Sequence, residues 1–166
     1  MKVSLKFKSK PNYSVVAWQL LLILVLVLGI FFRVTNLDRK VYWFDETYTS
    51  LRISGHQERE LIEEVYNGKP IAVKDLLKYQ QLNSDRNVDD VLKSLAKEDP
   101  QHSPLYYLLT HFWVKWFGNS IAVVRSLGAL VSLLAFPAMY WLAWELFGST
   151  AVASMAMAIL AVSPFH

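Results

Sequence analysis

Cysteine is absent from the 166-residue chain, which excludes a disulfide framework and a thiolate metal site and leaves the redox compartment unread. Charge is scarce at both ends. Before residue 15 the only charged side chains are Lys2, Lys6, Lys8 and Lys10, and after residue 104 there are only Lys115, Arg125 and Glu145. Residues 33–104 hold eleven basic side chains against thirteen acidic ones. The formal net charge of +3 therefore combines a basic tail, a slightly acidic middle and a nearly uncharged remainder. No basic stripe is left over to bind nucleic acid, and no internal repeat or low-complexity tract occurs.

The chain is 54% hydrophobic, above the usual ~45–50%, and the excess lies at the two ends. Val15 to Phe32 contains one polar side chain, Gln19, and no charge. Its 18 residues approach the lower limit for crossing a ~30 Å hydrocarbon core at about 1.5 Å per residue. A cleaved secretory signal has a shorter apolar region, about 7–15 residues, followed by a small-x-small site. Here the run ends Phe31-Phe32-Arg33, so a retained membrane helix over 15–32 is expected. The basic tail, residues 1–14, predicts a cytoplasmic N-terminus by the positive-inside rule. Residues 33–119 are then an extracytoplasmic loop.

Within that loop Leu61-Ile62-Val65-Tyr66, Val73-Leu76-Leu77-Tyr79 and Val88-Val91-Leu92-Leu95 recur at helical spacing. They predict short amphipathic helices separated by Asn67-Gly68-Lys69-Pro70 and Asn83-Ser84-Asp85. Leu61, Val65, Leu76, Leu92 and Leu95 are expected to face inward, and Glu58, Glu63, Lys93 and Lys97 outward. Leu105 to Phe117 is too short to cross a membrane and includes His111 and Lys115. Its aromatic richness predicts a helix at the outer interface, opened by Pro104 and closed by Gly118-Asn119. A second spanning helix is expected over 121–147, kinked at Pro137. A third begins near 150 and runs into residue 166, so the chain is expected to stop inside or at the mouth of that crossing. The expected fold class is an all-α, polytopic membrane protein.

The acid pair Asp45 and Glu46 lies just beyond the first apolar run, among Tyr42, Trp43, Phe44 and Tyr48. One reading is a helix start, with Asp45 as cap and Glu46 favoured by the dipole in the first turn. The other takes the pair together with His102 and with Arg125, at the start of the second spanning helix. A carboxylate accepts a proton from an attacking hydroxyl, an arginine holds phosphate, and aromatic walls such as Trp43 and Tyr48 stack on sugar faces. Arg125 is further expected to keep Asp45 ionised in dry aromatic surroundings. The pair could ligate Mg²⁺ or Mn²⁺, but two acids do not define a site, so metal and cofactor stay open.

In order, Phe32-Arg33 followed by Leu37, then "WFDETYTSLRIS", "HSPLYYLLTHFWVKWFGNS", "VRSLGALVSLLAFPAMYWLAWELFG" and "AVSPFH" resemble the N-terminal part of the integral-membrane glycosyltransferases of the GT-C fold. The similarity is to bacterial family 39 members, related to the protein O-mannosyltransferases and the lipid A aminoarabinose transferases. The usual His-Pro-Pro reads His102-Ser103-Pro104 here, and residues 55–100 are the least typical. The resemblance implies Asp45 as catalytic base, with Glu46 as a second acid for orientation or for a divalent cation. His102 and Arg125 are candidate phosphate or pocket contacts on this reading, and Tyr48 and Trp43 candidate substrate-binding rings. The donor would be a sugar on a polyprenyl phosphate and the acceptor a hydroxyl of a glycan, lipid or protein, at the outer face of the cell (inner or plasma) membrane. The family has many more membrane helices, so this chain is expected to be the N-terminal portion of such an enzyme. The alternative is a non-catalytic membrane fragment or assembly subunit with an outward helical segment.

Overall fold

The computed structural model describes residues 13–82 and 85–163. The basic tail up to residue 12, the break at Asn83-Ser84 and the last three residues lie outside this description. Among the described residues there is no strand. The helices are α1 Tyr13–Val34, α2 Phe44–Ile53, α3 Glu58–Val65, α4 Val73–Leu76, α5 Val88–Glu98, α6 Pro104–Phe117, α7 Ile121–Phe147 and α8 Thr150–Val162. A 3-10 turn, Leu77–Gln80, continues α4. Two of them, α1 and α7, are long and apolar enough to cross a membrane. The chain divides into two compact units, residues 13–35 with 130–163, and residues 36–129 among those described.

In the first unit α1 packs on α8, and a glycine sets the approach. A Cβ at Gly29 would stand 2.7 Å from the Ala161 carbonyl oxygen, so no larger residue fits there without moving backbone. Small residues let apolar helices come this close. Arg33 follows one turn later, buried. It donates to Gly29 O at 3.1 Å, Ala161 O at 2.6 Å and Leu160 O at 2.9 Å, and stacks 4.8 Å over the Phe136 ring. The last carbonyls of a helix lack intrahelical donors, and a cation is favoured at that end. Arg33 thus caps α8 from the side. The C-terminal ends of α1 and α8 meet at this point.

In the second unit the core is Leu51, Ile53, Tyr79, Val91, Leu95 and Val114, contributed by α2, the 3-10 turn, α5 and α6. Burying each large aliphatic among them contributes ~1.5–3 kcal/mol. Helix ends are closed by specific groups. Asn87 accepts from the N–H groups of Asp89 and Asp90, and Asp90 returns a bond to the Asn87 N–H at 3.0 Å, a reciprocal cap at the start of α5. His111 Nδ1 meets the Ile53 carbonyl at the end of α2, 2.8 Å away. Pro104 opens α6, and Gly118, at φ +104, lets the chain leave it.

The expected inward face holds in part. Leu95 is buried and Leu61, Val65 and Leu76 are half-buried, but Leu92 is 38% exposed. The buried face of α5 is Val91, Ser94 and Leu95. It is centred on Ser94 because that hydroxyl donates to His56 O at 2.7 Å and accepts from Arg52 at 3.2 Å, which turns Leu92 outward. Glu58 is not fully outward either: it is half-buried and accepts from the Tyr48 hydroxyl at 2.8 Å.

Candidate functional site

The adjacent acids separate in the structure. Helix α2 begins at Phe44, so Asp45 and Glu46 both lie in its first turn, about 100° apart around the axis. Glu46 turns toward Arg125 of α7. Arg125 Nε stands 2.6 Å from Glu46 Oε1 and an Nη 2.7 Å from Oε2, a two-pronged pair of the kind that guanidinium geometry favours. Glu46 Oε2 also accepts from the Trp43 N–H at 2.9 Å. Glu46 therefore closes the helix start. The capping reading of Asp45 fails, because α2 begins at Phe44 with Trp43 at the cap position and Asp45 already lies inside the first turn.

The rest of the Arg125 guanidinium is spent on backbone. It donates to the carbonyls of Leu37 and of Lys40 at 3.1 Å, and to Val41 O at 3.0 Å. All five N–H donors are engaged, and they gather the α1–α2 connection around one side chain. Arg125 thus has no donor free for phosphate in this arrangement, and it pairs with Glu46 rather than Asp45. Hydrogen bonding to Arg125 holds the Glu46 carboxyl below the usual carboxylate range against the opposing effect of burial, and the Trp43 N–H helps. Tyr42 completes the group: its ring lies 5.8 Å from the Arg125 guanidinium, and its hydroxyl bonds to Glu46 O at 3.0 Å and to the Ser50 hydroxyl. Burial pushes the Tyr42 phenol up.

Asp45 is exposed and its side chain makes no hydrogen bond or ion pair among the described residues. Its aromatic neighbours do not enclose it, contrary to the dry surroundings expected. Trp43 is 72% and Phe44 69% exposed, and Phe44 meets Tyr48 edge-on at 4.7 Å. The site therefore presents one free carboxylate beside large uncovered rings.

His102 and Tyr48 belong to a second group. Arg52, fully buried, reaches Glu98, Asp99 at 3.2 Å and Ser94. Asp99 Oδ1 lies 3.3 Å from His102 Nδ1, whose side chain is 52% exposed and whose ring meets Tyr107 edge-on. The Tyr48 ring stands 6.0 Å from the Arg52 guanidinium, and the Glu58 carboxylate raises the Tyr48 phenol above its ordinary value. No described contact joins His102 to Asp45, Glu46 or Arg125. Glu98 also accepts the Glu58 N–H at 2.8 Å, so one carboxylate holds Arg52 and the start of α3 together.

Sequence reasoning passed over Arg52. Its signal was available: an arginine between Leu51 and Ile53 in a helix, with an acid pair, Glu98-Asp99, closing another. Beside this group a cavity of about 430 Å³ opens against Leu51, Leu61, Ile62, Leu76, Tyr48 and Tyr79. Among the described residues no group of three or more His, Asp or Glu side chains could hold a metal ion. Asp45 and Glu46 offer two acids only, one already committed to Arg125. Comparison with protein-family models, curated proteins and solved structures returns no match to this chain.

Proposed function

We propose that the chain is the N-terminal part of a polytopic GT-C-type glycosyltransferase that moves a sugar from a polyprenyl-phosphate donor to an acceptor hydroxyl at the outer membrane face. The observation that carries this reading is the division of labour in the acid pair. Glu46 is fixed by Arg125 and the helix start, whereas Asp45 stands unpartnered two residues from exposed Trp43 on the segment that follows an apolar helix. A free carboxylate beside a rigid pair suits a base that takes the acceptor proton as the anomeric carbon–oxygen bond forms and polyprenyl phosphate departs. Exposed Trp43 and Phe44 suit contact with a lipid headgroup layer, where aromatic rings concentrate.

Topology supports the same reading. The C-terminal ends of α1 and α8 meet through Gly29, Arg33 and Ala161, the arrangement expected if α7 crosses back after α1 and α8 starts a further crossing. On this reading the four lysines keep the N-terminus in the cytoplasm, and α6, too short to cross at 14 residues or about 21 Å, would lie along the outer interface. A divalent cation such as Mg²⁺ or Mn²⁺ remains compatible with the chemistry, using Asp45 and donors from outside these residues. His102, held near Asp99, contributes a proton-carrying or phosphate-facing group from the α5–α6 connection.

A second reading, a non-catalytic assembly subunit, is favoured by one observation: the saturation of Arg125, which leaves no cation at the acid pair to receive phosphate. The deciding experiment follows sugar transfer from a radiolabelled polyprenyl-phosphate donor in membranes that contain the protein and in membranes from which its gene is deleted. Label passing to a glycan, lipid or protein acceptor only in the first supports transfer. Equal labelling in both supports the assembly role.

A further inference from the structure

The cavity that bears most on substrate choice is the smaller one on the other side of α2. It is a half-open cavity of about 230 Å³ within the second unit. Its polar lining is Tyr42, Ser50, Gln80, Gln81, Asn119 and Ser120. Among the described residues no acid, lysine, arginine or histidine lines it. A charge brought into such a lining loses hydration without gaining a counter-charge, whereas a hydroxyl finds donors and acceptors together.

The polar groups are not equally available. The Asn119 amide is committed to the Leu82 backbone, accepting its N–H at 2.9 Å and donating to its carbonyl at 3.4 Å, which ties the tail of the 3-10 turn to the approach to α7. The Tyr42 hydroxyl is engaged with Glu46 O and Ser50. Gln80 and Gln81 both line the cavity and make no side-chain hydrogen bond among the described residues, so two amides, each with two N–H donors and a carbonyl acceptor, are uncommitted at its wall. Ser120 accepts from the Val123 N–H at 3.3 Å and keeps its own hydroxyl proton to give. Leu77, Ile121 and Val124 complete the wall with apolar surface suited to C–H groups. Neighbouring hydroxyls on one ring match paired amide edges, and the volume is below the ~300–1,000 Å³ of drug-sized sites, which fits one ring rather than a chain.

We propose that this cavity receives a single uncharged pyranose ring, read by Gln80 and Gln81, and so restricts the sugar handled beside α2 to rings without an ammonium or carboxylate group. What the sugar does there rests on the glycosyl-transfer reading; its binding does not. The test places the full chain in lipid nanodiscs prepared without sugar-based detergent and measures saturation-transfer NMR to methyl α-D-mannopyranoside and methyl α-D-glucopyranoside. Glucosamine and glucuronate serve as charged controls.

Transfer to the neutral glycosides is expected, roughly three- to tenfold weaker binding in each of Gln80→Leu and Gln81→Leu for the lost hydrogen bonds, and weaker binding of both charged sugars. The melting midpoint of each variant, read alongside, should match the unaltered protein. Displacement by a polyprenyl-phosphate-linked sugar, but not by bare polyprenyl phosphate, assigns the ring to the donor; displacement by neither assigns it to the acceptor. No transfer to either neutral glycoside, undiminished binding in both well-folded variants, or equal binding of the charged sugars overturns the proposal. Sugar binding without label transfer in membranes contradicts the glycosyl-transfer reading alone. Label transfer without binding in this cavity contradicts the pocket alone.

Discussion

Arg125 and Glu46 face each other edge to edge, with Nε to Oε1 at 2.6 Å and Nη2 to Oε2 at 2.7 Å. The pair joins the start of α7 to the start of α2, and the guanidinium also collects carbonyls of Leu37, Lys40 and Val41. Lysine carries the charge but not the planar fork. Arg125→Lys should therefore lower stability by roughly 1.5–3 kcal/mol, the range for hydrogen bonds to charged groups, and free the 37–41 segment. Hydrogen exchange at residues 37–41 checks it; unchanged protection there would mean the loop holds itself.

The pH dependence of that pair has a defined sign. The Glu46 carboxyl sits below its ordinary value because of Arg125, so its contribution is fully present above the unfolded-state value of ~4.3 and is lost as pH falls through the lower folded value. The difference in melting midpoint between the unaltered protein and Glu46→Gln should be constant near neutrality and shrink in acid. The Glu46 side chain is 30% exposed, so solvent screening keeps the effect modest. A difference that grows as pH falls would contradict this assignment.

How much of this was readable beforehand differs by feature. The helix positions were readable because apolar spacing, Pro104, Gly118 and the long uncharged runs are local signals. The choice between Asp45 and Glu46 was not, because adjacent residues look alike in sequence and only the partner on α7, 79 positions away, separates them. Leu92 was misassigned for a related reason. Its spacing matches Val88, Val91 and Leu95, yet Ser94 takes the inner face through polar contacts with His56 and Arg52, which hydrophobic periodicity does not register.

Arg52 provides a third test. It is 1% exposed, and its acids Glu98 and Asp99 are largely covered. Arg52→Met should leave two partly buried carboxylates without their cation and cost about 3–5 kcal/mol. Thermal unfolding of the variant in nanodiscs measures this. A loss under about 1 kcal/mol, the value of an exposed pair, would show that the network is no more than a surface contact.

The close approach at Gly29 gives a fourth. Gly29→Val places side-chain atoms against the Ala161 backbone, which cannot rotate away, and overpacking of this kind typically costs ~1–3 kcal/mol. The melting midpoint of Gly29→Val in nanodiscs should fall accordingly. An unchanged midpoint would mean that α1 and α8 do not depend on that contact.

The central claim is that Asp45 acts on substrate while Glu46 holds the helix. The most direct measurement compares sugar transfer from a polyprenyl-phosphate donor in membranes carrying Asp45→Asn or Glu46→Gln in the otherwise unaltered protein, with melting midpoints recorded in parallel. Asp45→Asn should lose ~10²–10⁴-fold in turnover, the usual contribution of a general base, with its melting midpoint unchanged; Glu46→Gln should lose stability first. Normal turnover in Asp45→Asn would contradict the account.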